Sequence, residues 1–152
     1  MKLSKQLTDE LISNAAQAMK NSYSPYSKFK VGAALLAGSG KIYRGTNIEN
    51  ASYGLTICAE RSAVFAAVTA GEREIKALAI VFSQKDLGPL STPCGACRQV
   101  LTEFAAPDMP VITADLSSGK AGRISKKTLK DYMPYPFTPK ALEKKPKKKA
   151  AK

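Results

Sequence analysis

Ile75-Lys76-Ala77-Leu78-Ala79-Ile80-Val81-Phe82 holds seven apolar residues and one lysine, with no polar alternation. A run of that length without Gly or Pro fits a strand covered on both faces. Such a strand needs helices to cover it, and the sequence supplies them on either side. Ala59 to Ala70 is a good helix former with an apolar side, stopped by Gly71. Cys94 to Phe104 reads as a second helix, with Pro93 in its first turn. Val111 to Ala114 is a short strand beyond it. This succession argues an α/β layered domain with a partly parallel sheet.

Further upstream, Leu7, Leu11, Ile12, Ala15, Ala16 and Met19 have helical spacing over residues 7–21, with Thr8 as the expected N-cap. Ser22 to Ser27 breaks that helix at Pro25. Phe29 to Leu36 reads as a strand, Gly38-Ser39-Gly40 as a turn and Lys41 to Thr46 as the returning strand of a hairpin. Asn47 to Thr56 is polar and irregular. Downstream, Leu87 to Thr92 reads as loop and Ser125 to Tyr132 as a weak helix. Tyr132-Met133-Pro134-Tyr135-Pro136-Phe137 closes the domain, and no internal repeat is visible.

The chain has 152 residues, of which 44% are hydrophobic and 24% charged, enough for one ordinary domain with a real core. Half of the net charge of +12 sits between Lys140 and Lys152, which hold seven Lys and one Glu. Residues 1–139 are therefore expected to form the domain and 140–152 a disordered Lys-rich tail; such runs are usually solvated. No apolar run is long enough for a membrane span and no signal peptide is visible, so a cytoplasmic protein with reduced thiols is expected. There are no His and three Cys. Without imidazole, Ser-His and Cys-His nucleophile pairs and His metal ligands are excluded. Three Cys cannot all pair as disulfides.

All three Cys fall at helix starts. Cys58 precedes Ala59-Glu60-Arg61, and Cys94 and Cys97 lie three apart in Pro93-Cys94-Gly95-Ala96-Cys97, on one helical face. Helix N-termini lower thiol pKa values. If the two helices start side by side, three thiolates converge and leave a fourth position open, as in catalytic zinc. Arg61 can offset their charge, and Glu60 is placed to move protons. A redox Cys-x-x-Cys pair with a buried core Cys58 is the plainer alternative at this stage.

The two Cys motifs together resemble the cytidine deaminase superfamily, in its three-cysteine zinc class. Tyr23 to Leu35, Gly45 to Gly54 and Cys97 to Leu101 are similar to blocks of the free-nucleoside enzymes, and the likeness runs roughly from Leu7 to Phe137. The resemblance implies a three-layer fold, with a mixed central sheet of about five strands and helices on both faces. It implies Cys58, Cys94 and Cys97 as ligands of one Zn²⁺ per subunit, Glu60 as catalytic acid/base and Arg61 as electrostatic support. Phe29 would pack on the pyrimidine, Asn47 and Glu49 would hold the ribose 3′-hydroxyl, and the Ala59 amide would hold the C2 carbonyl. Ala51, Tyr53 and Phe137 would reach a neighbouring subunit of a homotetramer. The implied reaction is hydrolytic deamination of cytidine and 2′-deoxycytidine in pyrimidine salvage, with no membrane or nucleic acid required. The alternative is the same chemistry on a polynucleotide, a nucleotide or a nucleoside antibiotic. Two departures stand out: Thr92 where Ser is common, and Tyr132-Met133-Pro134-Tyr135-Pro136-Phe137 in place of a Leu-Leu-Pro-x-x-Phe closure.

Overall fold

The computed structural model describes residues 3–84, 91–116 and 122–142. Its elements, in chain order, are α1 (Lys5–Met19), β1 (Val31–Ala37), β2 (Ile42–Thr46), α2 (Ala59–Thr69), β3 (Ile75–Phe82), α3 (Gly95–Phe104), β4 (Pro110–Asp115), β5 (Ile124–Thr128) and α4 (Leu129–Tyr132). Short 3-10 turns occupy Tyr53–Leu55 and Pro139–Leu142. Residues 143–152 of the Lys-rich tail, and 87–90 of the expected loop, lie outside the described residues.

The five strands form one mixed sheet in the order β2-β1-β3-β4-β5. Only β3 and β4 are parallel; the other three pairings are antiparallel. β1 and β3 sit inside the sheet, and all seven residues of β1 and seven of eight in β3 are buried. Side chains alternate between the two faces. Ala33, Leu35, Leu78, Ile80 and Val111 join Ala63 and Val64 of α2 and Leu101 of α3 in one core layer. Ala34, Leu36, Ala77, Ala79 and Ile112 meet Leu11, Ile12 and Ala15 of α1 in the other. The expected arrangement, helices on both faces of a mixed sheet, is the one observed.

Two glycines set how closely helices approach. A Cβ on Gly32 would stand 2.0 Å from the Ala15 carbonyl oxygen of α1. One on Gly45 would stand 2.2 Å from the Ala63 nitrogen and 2.4 Å from the Ala59 oxygen of α2. Both strands therefore touch helix backbone directly.

Four local expectations need correction. The N-cap of α1 is Ser4, whose hydroxyl accepts from the Leu7 amide; Thr8 is one turn inside and donates back to the Ser4 carbonyl. β1 starts at Val31, two residues later than expected, because Lys28 takes a positive φ of 58° and turns the chain just before Phe29. Pro93 lies outside α3, since Cys94 is the N-cap. Residues 125–132 are not one helix. Ile124 to Thr128 pair with β4 as an edge strand, and only Leu129–Tyr132 are helical, started by a Thr128–Asp131 capping box.

Candidate metal and catalytic centre

Cys58 and Cys94 are the N-caps of α2 and α3, and neither side chain caps its own helix. Their sulfurs turn instead toward each other, 3.7 Å apart, with Cys97 Sγ 3.5 Å from Cys94 Sγ. All three sulfurs lie within 4.8 Å of one another, and none is in a disulfide. Thiolates about 2.3 Å from one tetrahedral ion stand roughly 3.8 Å apart, so the donor set fits zinc. Contact with the Cys97 thiol, with Arg61 and Cys94 adding, holds the Cys58 thiol down at about 5 against the opposing effect of burial. The same contact with Cys58, together with burial, pushes Cys97 up.

Arg61 stands one turn into α2. Its Nη2 donates to the Thr56 carbonyl at 3.2 Å and lies 3.7 Å from Cys58 Sγ. Its Nε is buried with no hydrogen-bond partner among the described residues. A half-buried guanidinium with an unused, buried Nε donor beside clustered sulfurs suits a site that carries extra negative charge. Glu60, between them in sequence, is only 5% exposed. Burial pushes its carboxyl up to about 7; its own backbone N–H opposes this and the Cys58 thiolate adds to the rise. Ala59, the first residue of α2, is fully buried, and its amide belongs to the first helical turn, where N–H groups lack intrahelical acceptors.

Asn47 and Glu49 hold the loop that leads into β1. Asn47 Oδ1 accepts from the Val31 amide (2.9 Å) and Ser22 Oγ (2.6 Å), while Nδ2 donates to the Phe29 carbonyl (2.8 Å). Glu49 Oε2 accepts from the amides of Tyr26 (2.9 Å) and Ser27 (3.2 Å), and Oε1 from Ser27 Oγ. The Ser27 hydroxyl bond holds the Glu49 carboxyl below its ordinary value. Asn47 and Glu49 thus fix both ends of the segment carrying Phe29, whose ring stacks on Phe82 at 5.9 Å and 14°. A cavity of about 400 Å³ opens here, lined by Tyr26, Ser27, Glu49, Tyr53 and Thr56.

The family model of the cytidine and deoxycytidylate deaminase zinc-binding region matches residues 5–113. The chain belongs to this deaminase family. A cytidine deaminase of Sporosarcina psychrophila is 48% identical over 130 residues, 86% of this chain and 90% of the relative. The crystal structure of a cytidine deaminase from Burkholderia pseudomallei superposes with a TM-score of 0.77 at 39% identity, over 89% of this chain and all of the other. That of the Mycobacterium tuberculosis cytidine deaminase gives 0.69 at 38%, over 86% and 97%.

For a member of the deaminase family, the three sulfurs, Glu60 and Arg61 come together as the sequence suggests. Tyr53 and Phe137 are different: they are 74% and 61% exposed, and Ala51 is exposed too. The Tyr53 ring packs edge-on against Tyr26 at 5.8 Å. Thr92, the departure from the common Ser, uses its hydroxyl to accept from Arg98 Nη2 at 3.0 Å. Sequence reasoning missed Ser27, Arg98 and Gln99. Their partners are backbone carbonyls and amides, the Thr92 hydroxyl and a nested carboxylate, for which no sequence spacing is a signal.

Proposed function

We propose that this chain hydrolyses cytidine and 2′-deoxycytidine to uridine and 2′-deoxyuridine with release of ammonia, in pyrimidine salvage. The observation that carries the reading is the group of three thiols at two helix heads with a buried Glu60 among them. One zinc per subunit, held by Cys58, Cys94 and Cys97, supplies Lewis acidity that makes water nucleophilic near neutral pH. Glu60 takes a proton from the attacking water and delivers it to ring N3 as the oxygen bonds to C4. It then passes the remaining hydroxyl proton to the departing amine, the C4–N bond breaks, and ammonia leaves. The proton gained at N3 stays on the uracil ring.

In this reading Ala59 N–H holds the C2 carbonyl, Phe29 packs on the pyrimidine, and Asn47 and Glu49 hold the ribose 3′-hydroxyl. Arg61 offsets thiolate charge. Ala51, Tyr53 and Phe137 contact a neighbouring subunit of a homotetramer. Residues 1–139 carry the activity in the cytoplasm, and 140–152 are not needed for it. A nested carboxylate at Glu49 disfavours a 3′-phosphate, which sets a free nucleoside above a polynucleotide.

The test is loss of cytidine absorbance with and without a chelator, beside CMP and single-stranded oligonucleotide. Cytidine turnover that the chelator abolishes is expected, and a chain ended at Pro139 should match it. Glu60→Gln should keep fold and metal and lose at least a hundredfold in turnover. Substantial turnover by that variant, or preference for the oligonucleotide, would overturn the assignment.

A further inference from the structure

Three consecutive residues at the head of α3 reach in three directions. Cys97 Sγ faces Cys94. Arg98 Nε donates to the Pro93 carbonyl at 2.7 Å and Nη2 to Thr92 Oγ1 at 3.0 Å, so one guanidinium holds both residues that precede Cys94. Its third arm, Nη1, donates to the Tyr132 carbonyl at 3.0 Å, and the group lies 5.5 Å from the centre of the Tyr132 ring. Gln99 Nε2 donates to the Phe137 carbonyl at 2.8 Å. The closing segment is thus pinned at both ends by the two side chains that follow Cys97.

We propose that Arg98 and Gln99 are positioning residues that link metal occupancy of the cysteine triad to docking of the Tyr132–Phe137 segment on α3. The inference rests on the reading of the three cysteines as metal ligands. Pro93 is buried and lies outside the helix, so its carbonyl has no ladder partner and depends on Arg98. A metal joining Cys94 to Cys97 fixes the Thr92–Pro93 turn relative to the helix, and the planar fork then meets its three acceptors in one geometry. Without that join, Cys94 is an exposed N-cap with no side-chain cap bond, and one constraint fewer holds the turn against the fork. Linkage is reciprocal: whatever the metal adds to docking, docking adds to metal affinity.

Hydrogen exchange of the peptide spanning 132–142, measured by mass spectrometry on the full chain, tests one direction. Removing zinc with a chelator should speed its exchange by about tenfold or more. Competition for zinc against a chromophoric chelator tests the other. Arg98→Lys keeps the charge but cannot span three acceptors, and should weaken zinc retention roughly tenfold, the scale of outer-shell ligand support. Gln99→Leu, at a half-exposed position that does not threaten folding, should weaken it severalfold. Exchange that ignores zinc overturns the proposal. So does full zinc retention by both variants, or complete rescue by lysine, which would make Arg98 a bare charge. Failure of the unaltered chain to bind zinc would instead remove the metal reading on which the proposal stands.

Discussion

Glu60 is an almost fully buried carboxyl group, and that burial has a pH signature in the metal-free protein. Its folded pKa of about 7 stands above the unfolded value of 4.5. Below 4.5 the group is protonated in both states and imposes no penalty. Between 4.5 and 7 the unfolded chain ionises first, so stability falls as pH rises, and above 7 the loss is complete. A rise of that size corresponds to about 3 kcal/mol. Glu60→Gln has no such term. The stability of the metal-free variant relative to the metal-free parent should therefore climb by about 3 kcal/mol from pH 4 to pH 7.5 and then level off, as read by urea denaturation. A difference that is flat with pH would remove the buried-carboxyl account. Arg61 was legible at the same scale because it neighbours Cys58 in sequence. Arg98 was not, since nothing in the sequence says that Thr92, Pro93 and Tyr132 meet around it.

At the scale of elements, Gly45 places the head of α2 against β2. Gly45→Ala would drive a methyl into the Ala59 and Ala63 backbone, moving the turn that carries Cys58 and Glu60. Gly32→Ala makes a comparable clash with α1 on the opposite face. Each should cost about 1–3 kcal/mol or more. Only Gly45→Ala should also lower zinc content and turnover in the surviving folded protein, as measured by metal analysis and the cytidine assay. Equal loss of zinc in both would break the assignment of one helix to each face. The elements legible in the sequence were those whose pattern matches their surroundings: the apolar β3, the hairpin around Gly38–Gly40, and α2 and α3 with their cysteine starts. β5 was not. Ile124-Ser125-Lys126-Lys127-Thr128 has one strongly apolar residue and becomes a strand only because β4 offers it an edge. Ser4 and Thr8 both precede apolar positions at helical spacing, so the N-cap is not distinguishable in the sequence, and only the backbone shows that the first turn begins at Lys5.

At the scale of the whole molecule, Tyr23, Tyr26, Ile48, Tyr53 and Leu55 stand exposed on the loops around the candidate site. Apolar surface of this kind calls for a cover, and the proposed tetramer supplies one. Light scattering should give a mass near four chains, and Tyr53→Glu should shift it to smaller species with reduced turnover. A monomer with full turnover would dismiss the shared site. The outer strands pose a separate hazard. β5 ends the sheet with one side of its backbone unpaired by any described strand. An open edge is a template on which chains stack into cross-β aggregates. Lys126 and Lys127 are exposed on this edge strand, and like charges brought face to face by stacking would repel. Replacing both with Val should make the protein scatter light and bind thioflavin on mild heating. The charge that made β5 hard to recognise as a strand keeps it from recruiting copies of itself.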